Sequence, residues 1–150
     1  MDKDSDIDML FGEVFVGGFE AALKSENILL EPKIDSETGQ VTKISDREFN
    51  RLSKNISKSL KKVIAKKLGK KKKQLYKGAK YKSTNENEQI IEIVQSKLFT
   101  LMQDIQKKSN LTAKQTKLLF EPEFSIKVSE DGKHIEVGSL AQEMIEQYKL

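Results

Sequence analysis

Cysteine is missing from all 150 residues. Its absence excludes a disulfide framework and a thiolate metal site, and it fits a reducing compartment such as the cytoplasm without requiring one. No apolar run approaches the ~20 residues of a membrane-spanning helix. The start, Met1-Asp2-Lys3-Asp4-Ser5-Asp6, has neither the basic end nor the apolar stretch of a secretion signal. Histidine occurs once, at His134 beside a hairpin turn, and no acid or nucleophile is placed by spacing to work with it. Gly12, Gly17 and Gly18 do not form a dinucleotide fingerprint. Gly69-Lys70 lacks two parts of a phosphate loop: Ile64 stands where the earlier Gly belongs, and no Ser or Thr follows the Lys. Glu86, Glu88 and Glu92 gather at a helix start, where capping explains them, and Asp2, Asp4, Asp6 and Asp8 lack the spacing of a calcium loop. The expectation is a chain that binds rather than catalyses, with no cofactor and no metal.

Acidic residues are also missing from one long stretch. Between Glu48 and Glu86 there is no Asp or Glu, while Arg51 to Lys82 holds 13 Lys and 1 Arg. That segment carries fourteen positive charges, so a net +4 leaves −10 for the remainder. Such polarity within one chain of ordinary globular composition says more about partners than the total does.

Periodicity supplies the elements. Ile7, Leu10, Phe11, Val14, Phe15, Phe19, Ala22 and Leu23 recur at helical spacing over 5–24, with Asp4 or Ser5 as the cap. Gly17-Gly18 inside that helix means either close backbone packing or a break. Residues 28–34 and 40–44 read as a hairpin turning at Gly39, with Pro32 at a strand start or an edge. Ser45 and Glu48 form a capping-box pattern ahead of Phe49, Leu52, Ile56, Leu60, Val63, Ile64 and Leu68, and Gly69 can end that helix or lie within it. Residues 70–82 read as a helix extension or a basic loop. A third helix, capped within 83–87, carries Ile90, Ile91, Val94, Leu98, Leu101, Met102 and Ile105 and stops near Asn110. Thr112 caps a short helix through Leu119, closed by Glu121-Pro122. Phe124, Ile126 and Val128 alternate into an Asp131-Gly132 turn, and Ile135 and Val137 return. Ser139 with Gln142 suggests a capping box for the last helix.

The fold class expected is α+β, with three to four amphipathic helices packed with two short β-hairpins in a single domain of 1–150. The basic segment 51–82 lies between an N-terminal helix-hairpin part (1–50) and a C-terminal helix-hairpin-helix part (83–150). The predicted core is Phe49, Leu52, Ile56, Leu60, Ile90, Ile91, Val94, Leu98, Leu101, Ile126, Val128, Ile135, Val137 and Ile145. Glu31-Pro32 and Glu121-Pro122 each precede a Gly-turn hairpin and a Ser-capped helix. Two explanations stand: an internal duplication whose hairpins join one sheet, or a coincidence of common turn signals.

The basic segment is the candidate contact surface. Lys54, Lys58, Lys61 and Lys62 fall on the polar face of the second helix, and Lys66, Lys67, Lys70, Lys71, Lys72, Lys73 and Lys77 extend the field. Lysine binds phosphate as a point charge and does not read bases bidentately. Tyr76 and Tyr81 are placed to stack on unpaired bases. The segment equally suits an acidic protein surface, the acidic remainder of the same molecule, or a solvated face. The 49–68 stripe has no Trp and a single Phe, and reads as a core face rather than a membrane-surface one.

The order long helix, short helix, Asp131-Gly132 hairpin, terminal helix over residues 86–150 resembles the small head–tail joining, neck and tail-completion proteins of tailed bacteriophages. The resemblance lies in element order and size and transfers no residue roles; the Lys run is foreign to it. It implies a non-catalytic virion assembly protein, cytoplasmic before assembly, acting through homo- or hetero-oligomeric subunit interfaces. The alternative is non-specific nucleic-acid binding through 51–82.

Overall fold

Three of the helices begin at side chains that cap them. The computed structural model describes residues 8, 9, 11–28, 34–121 and 123–149. The first helix is already formed where description begins, at Asp8; its expected caps, Asp4 and Ser5, lie outside the described residues. It passes through a π-helical turn, Gly12–Val16, into α1, Gly17–Ser25, without a break. The glycine pair is there for close packing. A Cβ on Gly18 would lie 2.8 Å from Ile64 Cγ1, so α1 can sit this close to the next helix only with hydrogen at that position.

That next helix is α2, Asp46–Lys67. Ser45 Oγ accepts from Glu48 N at 3.1 Å at its start. It ends at Gly69, whose φ of +73° lets Gly69 N bond Lys66 O at 3.1 Å and Lys70 N bond Ala65 O at 2.8 Å. Thr84 Oγ1 caps α3, Asn85–Lys108, through Asn87 N at 3.2 Å. Thr112 and Gln115 form a reciprocal box on α4, Ala113–Phe120. The last helix is α5, Ser139–Lys149. The capping box expected of Ser139 and Gln142 is not what starts it. Ser139 is already inside the helix, the N–H groups of Leu140 and Ala141 donate to Glu123 O at 2.8 and 3.0 Å, and the Gln142 side chain is used elsewhere.

The strands depart furthest from expectation. Residues 28–44 do not form a strand pair among the described residues: a single bridge joins Ile34 to Val41 around Gly39. Among the described residues that pair is poorly covered, with Ile34 68% and Val41 38% exposed, so little burial drives a longer ladder. The Glu31-Pro32 step and Pro122 lie outside the described residues, and among the described residues the two hairpin regions do not share a sheet. The sheet is three-stranded and antiparallel, in the order β1 (Ala79–Lys82), β3 (His134–Val137), β2 (Ile126–Val128). Its third strand comes from the end of the Lys-rich segment, which is neither helix extension nor loop there.

Register puts Ala79, Tyr81, Ile135, Val137, Ile126 and Val128 on one face and Lys80, Lys82, His134, Glu136 and Lys127 on the other. Val128, expected in the core, is 68% exposed because the apolar face is covered under β3 but not at the tip of edge strand β2. Ile90 and Ile126 are half-buried, and the other predicted core residues are buried. Phenylalanines knit the N-terminal helix to α4: Phe19 stacks on Phe120 at 4.4 Å, and Phe124 lies 5.5 Å from Phe19 and 6.3 Å from Phe15. Among the described residues, no helix is long and apolar enough to cross a membrane.

Candidate nucleic-acid interface

Lysines at four-residue steps on a helix form a slowly winding row. Lys54, Lys58, Lys62 and Lys66 are such a row on α2, all exposed, and at 1.5 Å per residue it is about 18 Å long. The opposite stripe, Phe49, Leu52, Ile56, Leu60 and Ile64, is buried, which fixes the row outward. None of the four lysines has a carboxylate partner among the described residues. Each i,i+4 pair of like charges costs roughly 0.2–0.5 kcal/mol, so the three steps strain α2 by about 1 kcal/mol until an anion offsets them.

The remaining cations divide by partner. Lys61 leans from the row to Glu123, 2.9 Å away. Lys67 turns over Gly17 of α1. Lys70 reaches the fully buried Glu143 at 3.0 Å. Lys71, Lys72, Lys73 and Lys77 are exposed and have no ion pair among the described residues. The acidic C-terminal part therefore neutralises a few of the lysines and leaves most of the positive field outward.

The loop carrying Lys71 to Lys77 is tied down from α5. Tyr76 N donates to Glu143 Oε1 at 2.8 Å, Gly78 N to Gln142 Oε1 at 3.0 Å, and Tyr81 Oη to Glu146 Oε1 at 2.6 Å. Inside the loop, Lys72–Gln74 makes one 3₁₀ turn in which Lys71 N donates to the Gln74 side chain at 2.7 Å, and Leu75 is buried beneath it. Gly78 is obligatory at the loop's end: its φ is +104°, and a Cβ would meet Val137 O at 2.9 Å. A polylysine segment that would repel itself into disorder is thus given a single path.

The two tyrosines fare differently from the stacking expected of them. Tyr76 is 39% exposed, with Lys70 Nζ 4.4 Å from its ring centre. Tyr81 is half-buried in the sheet face, its hydroxyl is held by Glu146, and Lys149 Nζ lies 4.7 Å from its ring centre. Burial, then the Glu146 carboxylate, pushes its phenol well above the ordinary range. Tyr81 is a structural member of the sheet, and only Tyr76 presents a ring beside the free lysines.

Sequence reasoning missed Gln142, Glu143 and Glu146, which position the loop. One signal was available for Glu143: it stands three residues after Leu140 and one before Met144, on the apolar stripe of α5. His134, for which spacing placed no acid, is half-buried on the charged sheet face, its Nδ1 3.6 Å from Asp131 Oδ2. Comparison of the chain with known protein families, curated proteins and solved structures finds no match.

Proposed function

We propose that this protein is a non-catalytic nucleic-acid-binding protein that grips the phosphate backbone with the α2 lysine row and the clamped loop 71–77. The observation that carries this reading is the unpaired row Lys54, Lys58, Lys62, Lys66, held outward by a buried opposite face. Protein–protein contacts are depleted in lysine, whereas phosphate backbones are bound mostly by such point charges. With one Arg among fourteen cations, the surface suits sequence-independent binding. The test is a titration of duplex and single-stranded DNA over a range of salt. Binding should weaken linearly in log–log form, and replacing the four row lysines with Gln should flatten the duplex slope by about 0.9 for each phosphate no longer neutralised. Affinity that ignores salt, or no binding at about 50 mM salt, sinks the reading.

A second reading, virion assembly of the head–tail joining kind, is favoured by a different surface. A groove of about 370 Å³ between α3, α4 and β2 exposes Phe99 (62%), with Met102, Phe124 and Ile126 in its walls. Val128 is bare at the tip of the same edge strand. Its rim carries Lys117 and Lys127 as well as Glu121, the mixed charge that a second copy of this chain would match across a two-fold axis. Light scattering after size exclusion decides: a discrete oligomer that survives high salt and disappears in Phe99→Glu supports this interface, and a monomer at all concentrations rules it out.

A further inference from the structure

The lysines of the clamped loop do not simply continue the α2 row. Lys72, Lys73 and Lys77 line, together with Lys61 of α2, a cavity of about 450 Å³ that Tyr76, Gly138 and Ser139 also border. The 3₁₀ turn, the end of the loop and α2 therefore each contribute lysines to the lining of one concavity. The single carboxylate on it among the described residues, Glu123, is paired with Lys61 at 2.9 Å, which leaves the other three amines uncompensated. The start of α5 spends two of its donors elsewhere, because the N–H groups of Leu140 and Ala141 donate to Glu123 O. The positive character comes from the side chains. Their backbone is held by the bonds from Lys71 N, Tyr76 N and Gly78 N to the side chains of Gln74, Glu143 and Gln142. Part of the ordering cost of a multi-lysine site is therefore met before any ligand arrives.

We propose that this pocket is a site for a terminal phosphate, the phosphomonoester at the end of a nucleic-acid strand. The assignment rests on the nucleic-acid reading above and adds which phosphate goes where. A backbone phosphodiester carries one charge, and its chain must leave in two directions, which suits the open row on α2. A phosphomonoester carries roughly −1.5 to −2 charges near neutrality and three acceptor oxygens, and only one chain leaves it. Lysines from separate segments lining one recess match that group. Tyr76, beside the recess and 39% exposed, offers its ring to the terminal base.

The experiment compares single-stranded oligonucleotides of one sequence, ending in a 5′-phosphate or a 5′-hydroxyl, by fluorescence anisotropy. The wild type is set beside Lys72→Gln/Lys73→Gln/Lys77→Gln and Lys54→Gln/Lys58→Gln/Lys62→Gln. All of these lysines are exposed and have no ion pair among the described residues, so both variants should fold. The expected result is at least fivefold tighter binding of the phosphorylated end, abolished in the loop variant and kept in the row variant. Equal affinity for the two ends, or a preference that survives in the loop variant, overturns the proposal. A second arm measures thermal protection by inorganic tripolyphosphate against chloride at matched ionic strength. Protection of the wild type but not of the loop variant supports the pocket even if no oligonucleotide binds, an outcome that would sink the nucleic-acid reading alone. Equal protection of both, or of neither, counts against the pocket.

Discussion

The Glu143 carboxylate is fully buried in α5, and the amine that reaches it, at 3.0 Å, belongs to Lys70, 73 positions earlier in the chain. This pair joins the end of the basic helix to the C-terminal helix. It differs in kind from the cross-strand ion pair nearby, Lys80 with Glu136 at 3.2 Å, whose side chains are 67% and 48% exposed. Lys70→Ala should therefore cost about 2–3 kcal/mol, since among the described residues it leaves the buried carboxylate with the Tyr76 N–H alone. Lys80→Ala should cost below about 0.5 kcal/mol. Urea unfolding of the two variants checks the contrast, and equal losses would show that Glu143 is not isolated from water.

Gly18 should tolerate no side chain. With Ile64 Cγ1 2.8 Å from the Cβ position, Gly18→Ala should lose about 1–3 kcal/mol through overpacking. Nothing lies within 4 Å of the same position on Gly12, so Gly12→Ala should be neutral or stabilising by up to about 1 kcal/mol. Combining Gly18→Ala with Ile64→Ala should cost less than the two singly, because the second substitution makes room for the first. Additive thermal-unfolding losses would break the argument.

Gln115 ties the segment before α2 to α4. Its side chain is buried; Nε2 donates to Ile44 O and to Asp46 Oδ1, each at 3.0 Å, and Oε1 accepts from Thr112 N at 3.0 Å. Gln115→Ala should cost about 1–2 kcal/mol by leaving Ile44 O and Thr112 N without this partner in a part-buried site, while the exposed Asp46 can turn to water. Gln115→Glu should be worse near neutral pH, where a carboxylate would face Asp46 and a carbonyl. That penalty should shrink as the pH falls towards about 4 and the new side chain protonates. Chemical unfolding at the two pH values reads both effects.

Alkaline stability should depend on Tyr81. Its phenol is held above its ordinary value near 10.0 by burial and by the Glu146 carboxylate, so the folded chain keeps a proton that the unfolded chain gives up. A raised folded value contributes stability that is fully present below about pH 10 and is lost as the pH climbs from there. Tyr81→Phe should flatten the decline in stability above about pH 10. Phenolate absorbance should show one late-titrating tyrosine that this variant lacks. A late component that persists in the variant would reassign the effect.

Local signals carried most of the helices. Ser45 with Glu48, Thr84 with Asn87, and Thr112 with Gln115 lie three residues apart, so the bonds they make were readable from adjacent positions. Gly69 was readable as a stop for the same reason. The short strands were another matter. Ala79-Lys80-Tyr81-Lys82 has only two apolar positions and sits in a cationic run, and it becomes β1 because β3, more than fifty residues later, offers it a ladder. The reverse failure occurred at Ile34 and Val41, where the hairpin expected around Gly39 shrank to a single bridge between exposed side chains.

By itself the sequence determined the α+β class, the caps of α2, α3 and α4, the buried stripes of α2 and α3, and a segment of fourteen cations without an acid. Each depends on neighbours within about four residues, the reach of helical hydrogen bonds and amphipathic spacing. Only the tertiary structure decided which lysines stay free. Glu123 and Glu143 take Lys61 and Lys70, and Gln142, Glu143 and Glu146 fix the path of the loop. Those choices rest on contacts between residues more than sixty apart, where a charge meets its partner only after the chain has closed around it.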